Sequence, residues 1–189
     1  MEKVRITLNL DLEEIVTEFL PKLMAQYLQI SGAAKELAGT AFTMCVELSG
    51  HKFNFLARDG ADIMAAAGDA ENPMVRVSLS IDDMMRFIEP RNIDMLLGMQ
   101  SALNRRNYDA MEKLGGTAVF ELEFPDGAKI PITAVFNSAP APKAVFRLSM
   151  ENAKELLGRR SNPVQMFMNG TLKIDGDIAF AMALQQFFT

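Results

Sequence analysis

Tryptophan is absent from this chain, and it carries a single cysteine, Cys45, and a single histidine, His51. One cysteine excludes an intramolecular disulfide. It lies in an alternating, strand-like stretch, where a buried or half-buried thiol is the expected role. A nucleophilic pair needs a base beside that thiol. His51 is the one candidate, six residues on and at what reads as a hairpin turn, with no third orienting group in view. Phosphate-loop and dinucleotide fingerprints are also missing. The chain is therefore not expected to be an enzyme, and no cofactor is expected. Positive charge is in short supply: 19 Lys and Arg stand against 24 Asp and Glu, a net charge of −5. Without a basic stripe and interleaved aromatics, nucleic acid is not an expected partner. No apolar run reaches membrane-spanning length, and Met1-Glu2-Lys3 does not open an apolar signal core, so a cytoplasmic location is the expectation.

What the chain does have is apolar bulk. Hydrophobic residues make up 49%, with 14 Met and 13 Phe, types that fill irregular spaces and tolerate varied apolar shapes. A chain of 189 residues can bury a real core, as one domain or two small ones. Asp11 followed by Glu14 reads as a helix start, after which Leu12, Ile15, Val16, Phe19, Leu20, Leu23, Met24, Tyr27 and Leu28 recur at helical spacing. Pro21 predicts a kink or two successive helices. The acidic polar face of this stretch (Glu13, Glu14, Glu18) suits packing on a sheet better than an anionic bilayer.

From Thr40 the period changes to two. Phe42, Met44, Val46 and Leu48 share a face, Ser49-Gly50-His51 turns the chain, and Phe53, Phe55 and Ala57 continue. Ile63 to Ala67 predicts a weak third strand, and Val75, Val77 and Leu79 another. Ser80 to Asp83 opens a helix that Pro90 ends, and Ile93 to Leu103 predicts a further helix. The pattern then recurs. Gly116-Thr117-Ala118 echoes Gly39-Thr40-Ala41, and Val145 to Met150 echoes Val75 to Ile81, with a helix after each. Tyr108 to Leu114 predicts a leading helix for the second copy. A degenerate two-fold repeat accounts for this, with chance likeness between two short sheets as the alternative. The expected division is 1–104, a degenerate copy with N-terminal helices, and 105–189, the copy with the closing motif.

That closing stretch is the most distinctive in the chain. Asn162-Pro163 reads as a cap with proline at the first helical position. Asn169-Gly170 is a turn, Leu172-Lys173-Ile174 a brief strand, and Asp175-Gly176-Asp177 a second turn whose Asp177 caps a last helix, Ile178 to Phe188. Asp175 and Asp177 lack the third oxygen ligand of a calcium loop, so turn and cap chemistry is the reading and no metal is expected. The last helix is apolar nearly all round apart from Gln185 and Gln186. Such a helix is normally covered on more than one side. The cover is expected to be the sheet, the first copy, a second chain in a homodimer, or a greasy ligand.

The run Phe167-Met-Asn-Gly-Thr-Leu-Lys-Ile-Asp-Gly-Asp177, followed by Ala181-Met-Ala-Leu-Gln185, resembles the end of sterol carrier protein type 2 domains. Thr171 and Ala183 stand where that pattern carries lysine, which removes two positive charges near the last helix. The resemblance covers 117 to 188 well and 36 to 103 loosely. It implies an α+β fold, an antiparallel meander sheet covered by helices, here as two degenerate copies. It also implies non-enzymatic binding of a fatty acid, fatty acyl-CoA, sterol, phospholipid or isoprenoid in an apolar cavity, with brief membrane contact, and it points to Gln185 as a residue near the lipid. Candidate walls are Phe120, Ile132, Phe136 and Phe146 on the sheet, with Phe167, Leu172, Ile174, Phe180, Met182 and Leu184 from the closing stretch. The competing expectation is a structural or accessory protein whose core is closed and which holds a partner rather than a lipid.

Overall fold

Period-two alternation becomes strand throughout the computed structural model, which describes residues 11–89, 92 and 103–188. β1 (Ala41–Leu48) and β2 (His51–Arg58) form a hairpin closed by Ser49 and Gly50, both at positive φ (49° and 89°). Two left-handed residues give the turn a twist that matches its strands. β3 (Asp62–Ala67) adds to the far side of β2, and β4 (Val75–Leu79) runs parallel to β1 on its other side. Farther on, β5 (Gly116–Glu123) and β6 (Lys129–Phe136) make a second hairpin. β7 (Lys143–Ser149) lies parallel to β5, and β8 (Leu172–Gly176) antiparallel to β7. The expected meander thus includes two parallel pairings, β1 with β4 and β5 with β7.

β4 and β6 pair antiparallel, so all strands among the described residues join in one eight-stranded sheet, ordered β3-β2-β1-β4-β6-β5-β7-β8. Each half follows the same path: a hairpin, then a strand returning beside the first, then a serine-capped helix. Ser80 accepts from the Asp83 N–H at 3.0 Å and Ser149 from the Asn152 N–H at 3.1 Å. β3 has no counterpart in the second half. The described residues of the first half are not stacked over the closing helix, as one expectation had it; the halves meet edge to edge through β4 and β6. Pairing satisfies the backbone N–H and C=O groups that β4 and β6 would otherwise leave open.

Alternation also gives the sheet one apolar face, and the described helices lie over it. Asp11 caps α1 (Leu12–Glu14), accepting from the Glu14 N–H at 2.8 Å. A π-helical segment, Ile15–Phe19, leads into α2 (Leu20–Ser31). The interruption expected at Pro21 takes this form because proline cannot donate to the carbonyl four residues back, and the turn before it widens. Val16 packs with Leu48, Phe53, Phe55 and Met84 over the first half. After the short α3 (Ala33–Glu36) and α4 (Ile81–Phe87), the helix expected from Ile93 falls outside the described residues except for Leu103. α5 (Arg105–Met111) starts earlier than Tyr108, because the Asn104 side chain caps it at the Asn107 N–H, 3.0 Å away.

Gly116 opens β5 at φ 146°, and a Cβ there would lie 2.5 Å from Phe180 Cε2 and 2.8 Å from the Pro142 carbonyl oxygen. Phe180 in turn meets Phe136 edge-on at 6.4 Å. The bare backbone of Gly116 is what seats the closing helix on the sheet. Gly116→Ala is expected to destabilise the fold by roughly 2 kcal/mol or more, read as a lower urea midpoint. An unchanged midpoint would show that Phe180 is not seated there.

Candidate ligand cavity

Among the helices that cover the apolar face of the second half are α6 (Met150–Leu157), α7 (Pro163–Met168) and α8 (Ile178–Gln185), the last running into a 3-10 turn, Gln186–Phe188. Their starts are fixed by the signals in the sequence. The Asn162 side chain accepts from the Val164 and Gln165 N–H groups at 2.9 and 3.3 Å, with Pro163 at the first helical position. Asp177 accepts from the Phe180 N–H at 2.8 Å.

Between these helices and the sheet lies a cavity of about 220 Å³. Its floor is built in rows across the strands. Ile132, Phe120, Phe146 and Ile174 are register partners on β6, β5, β7 and β8, and all line it. Phe120 and Phe146 stack at 5.0 Å with rings 19° apart. Leu122, Leu148 and Leu172 form the next row. Val77 on β4 and its partner Ala134 on β6 extend the floor into the first half. The roof is Ala153, Leu156 and Leu157 of α6, Pro163, Val164 and Phe167 of α7, Ile178, Ala181, Met182 and Gln185 of α8, and Phe188. Space remains because Ala134, Ala153 and Ala181, all buried, carry nothing beyond Cβ to fill it.

The most exposed of the lining side chains are Phe167 (46% exposed) on α7 and Ile178 (50%) and Met182 (52%) on α8. The mouth therefore opens between α7 and α8, and Met168 beside it is 81% exposed. The closing helix, apolar nearly all round, thus has Phe180, Ala181 and Leu184 buried and its Ile178–Met182 side at the mouth. Of the lining side chains among the described residues, Gln185 alone is polar and none is charged.

Eight residues singled out in the sequence line the cavity: Phe120, Ile132, Phe146, Phe167, Leu172, Ile174, Met182 and Gln185. Phe136, Phe180 and Leu184 do not; they are buried in the core that anchors α8. Leu122 and Leu148 escaped selection although parity with Phe120 and Phe146 places them on the same face. Val77 had no such signal, because it reaches the cavity only through the β4–β6 pairing. Asp175 and Asp177 do not converge. Asp175 is ion-paired with Arg147, and Asp177 caps α8. Among the described residues no cluster of His, Cys, Asp and Glu would hold a metal ion.

A second polar cluster lies on the opposite, open face of the sheet. Asp69 pairs with Lys52 at 2.6 Å and Arg76 at 2.8 Å, and Arg76 also reaches the buried Cys45 Sγ at 3.0 Å. Hydrogen bonds from Lys52 and Arg76 hold the Asp69 carboxyl far below the usual carboxylate range. Burial pushes the Cys45 thiol up, the opposite of what a nucleophile requires. Cys45 pairs with Asn54 in the hairpin, so His51, three positions along β2, falls on the other face and the two form no pair.

Residues 99–189 match the model of the SCP-2 sterol transfer family, so the likeness to sterol carrier domains read from the closing motif holds over that stretch. Among solved structures the chain is similar to the sterol carrier protein domain 2 of Helicoverpa armigera. The two share 23% identity over 52% of this chain and 87% of that one, at a TM-score of 0.40. It is similar to sterol carrier protein 2 of Yarrowia lipolytica in its apo form, at 18% identity over 50% and 92%, TM-score 0.38. A structure described as a UbiJ-SCP2 ubiquinone synthesis protein aligns over 95% of this chain and 93% of its own, at 9% identity and a TM-score of 0.30. No curated protein matches the chain significantly.

Phe180→Asp is expected to unfold the protein, since it places an unpaired carboxylate against Gly116 and Phe136, whereas Phe167→Asp at the mouth should leave the circular-dichroism melt within a few degrees of wild type. A folded Phe180→Asp variant would contradict the placement of α8. Because the Asp69 carboxyl is depressed by its partners, its contribution is present above the ordinary carboxylate pKa and lost as pH falls through its lower folded value. Asp69→Asn should therefore lower Tm at about pH 7 and converge with wild type towards about pH 2. A gap that persists at acid pH would mean that the ion pairs are not its origin.

Proposed function

We propose that the protein is a non-enzymatic lipid carrier, holding the hydrocarbon part of its ligand between the second half of the sheet and helices α6, α7 and α8. The observation that carries this reading is an uncharged, almost wholly apolar cavity that remains open, lying mostly within the stretch that matches a sterol transfer family. The physical basis is burial: each methylene removed from water contributes about 0.8 kcal/mol. One acyl-length chain reaches micromolar binding on that basis before ordering costs are set against it. Sterols, isoprenoids, phospholipids and acyl chains all present such hydrocarbon. The carrier is placed in the cytoplasm, and it loads and unloads by brief contact with a membrane at the mouth, where Phe167, Met168, Ile178 and Met182 already expose apolar surface. The accessory reading, a closed core that binds no lipid, is disfavoured by the open volume.

Native mass spectrometry of the gently purified protein is expected to show a bound lipid, released on denaturation. Val164→Trp, which projects a large side chain from α7 into the cavity, should weaken binding of a fluorescent lipid by at least about ten-fold without lowering Tm by more than a few degrees. Consistent absence of lipid, together with no uptake of a fluorescent one, would sink the carrier reading in favour of the accessory one.

A further inference from the structure

The charges and amides around the cavity point to the class of lipid it takes. This inference rests on the carrier reading and narrows it. Among the described residues no lysine, arginine or histidine lines the cavity. A carboxylate or phosphate drawn inside would be desolvated without a partner, which strongly disfavours the charged form. A head group left at the mouth meets no compensation at the α8 rim either. That rim begins at Ile178, and the residue before it is Asp177. The N-terminus of α8 would otherwise attract an anion through its free N–H groups and its dipole. Here the Asp177 carboxylate already occupies that end, bonded to the Phe180 N–H at 2.8 Å. An anionic head therefore faces a like charge where a helix terminus usually offers a positive one.

Along the same helix, Ile178, Met182 and Gln185 fall at i, i+4 and i+7 and form one stripe, all lining the cavity. Gln185 ends that stripe, about 10 Å from Ile178 at the helical rise. Its half-buried carboxamide makes no hydrogen bond among the described residues, so it holds a free donor pair and a free acceptor. A neutral amide recognises a hydroxyl or a carbonyl oxygen without needing charge.

We propose that the cavity selects an uncharged lipid, one whose polar end is a hydroxyl or carbonyl held at Gln185, and discriminates against the ionised carboxylate of a fatty acid. The test is displacement of an uncharged pyrene-labelled alkane from the full-length protein by 1-tetradecanol or by myristate, at about pH 8 where myristate is ionised. The alcohol is expected to displace the probe at least about ten-fold more effectively. Gln185→Lys, which supplies the missing cation, should improve myristate binding and shrink that gap to about three-fold or less. Equal displacement by the two ligands in the wild-type protein overturns the proposal and leaves the carrier reading standing. A probe that does not bind at all overturns both. A Gln185→Lys protein that melts like wild type yet shows an unchanged gap removes Gln185 from the head-group site and overturns the assignment of the polar end.

Discussion

The pairing of β4 with β6 is the interaction on which the rest of the molecule depends. It brings Val75 opposite Phe136 and Val77 opposite Ala134, and makes one sheet of strands from both halves of the chain. Because parity carries through the ladder, the apolar residues of both halves emerge on the same side. The two buried clusters are consequently neighbours rather than separate cores, with Met44 and Leu79 touching both. The first half thereby serves as more than a support, since Val77 is part of the cavity floor.

Edge-to-edge joining also determines what becomes of the closing helix. Had the halves stacked face to face, α8 would have been enclosed and its apolar circumference used up. Side by side, they leave α8 with one side on the sheet and another at the cavity mouth. The anchored side is held by large groups meeting small ones, Phe180 over Gly116 being the tightest. The opposite choice prevails a few residues away, where alanines on sheet and helices face one another across open space. Close packing at one end of α8 and unfilled volume beside it are what allow a stable fold to retain a cavity.

Much of this was legible in the sequence because it is local. Capping by Asp11, Ser80, Asn162 and Asp177, the Ser49-Gly50 turn and the weak strand at β3 each follow from the chemistry of a few adjacent residues. Parity likewise put Phe120, Ile132, Phe146 and Ile174 on one face. What depends on long-range pairing was not legible. The parallel placement of β4 and β7, the contribution of Val77, and the lateral position of the first half are set by which edges meet. Phe136, Phe180 and Leu184 illustrate the same limit within one helix and strand: apolar character marks a residue for the interior but does not distinguish core from cavity wall.

The two faces of the sheet divide the chemistry. The open face carries ion pairs such as Asp69 with Lys52 and Arg76, while the described residues of the covered face that line the cavity are uncharged. That division suits the proposed binding by burial. Intermolecular NOEs between a bound lipid and the methyl groups of the protein would show where the hydrocarbon lies. Contacts from its methylenes to Leu148, Ile174 and Val77 are expected if the cavity is the binding site. Contacts confined to exposed methyls such as those of Ile30, with none to those three residues, would contradict it.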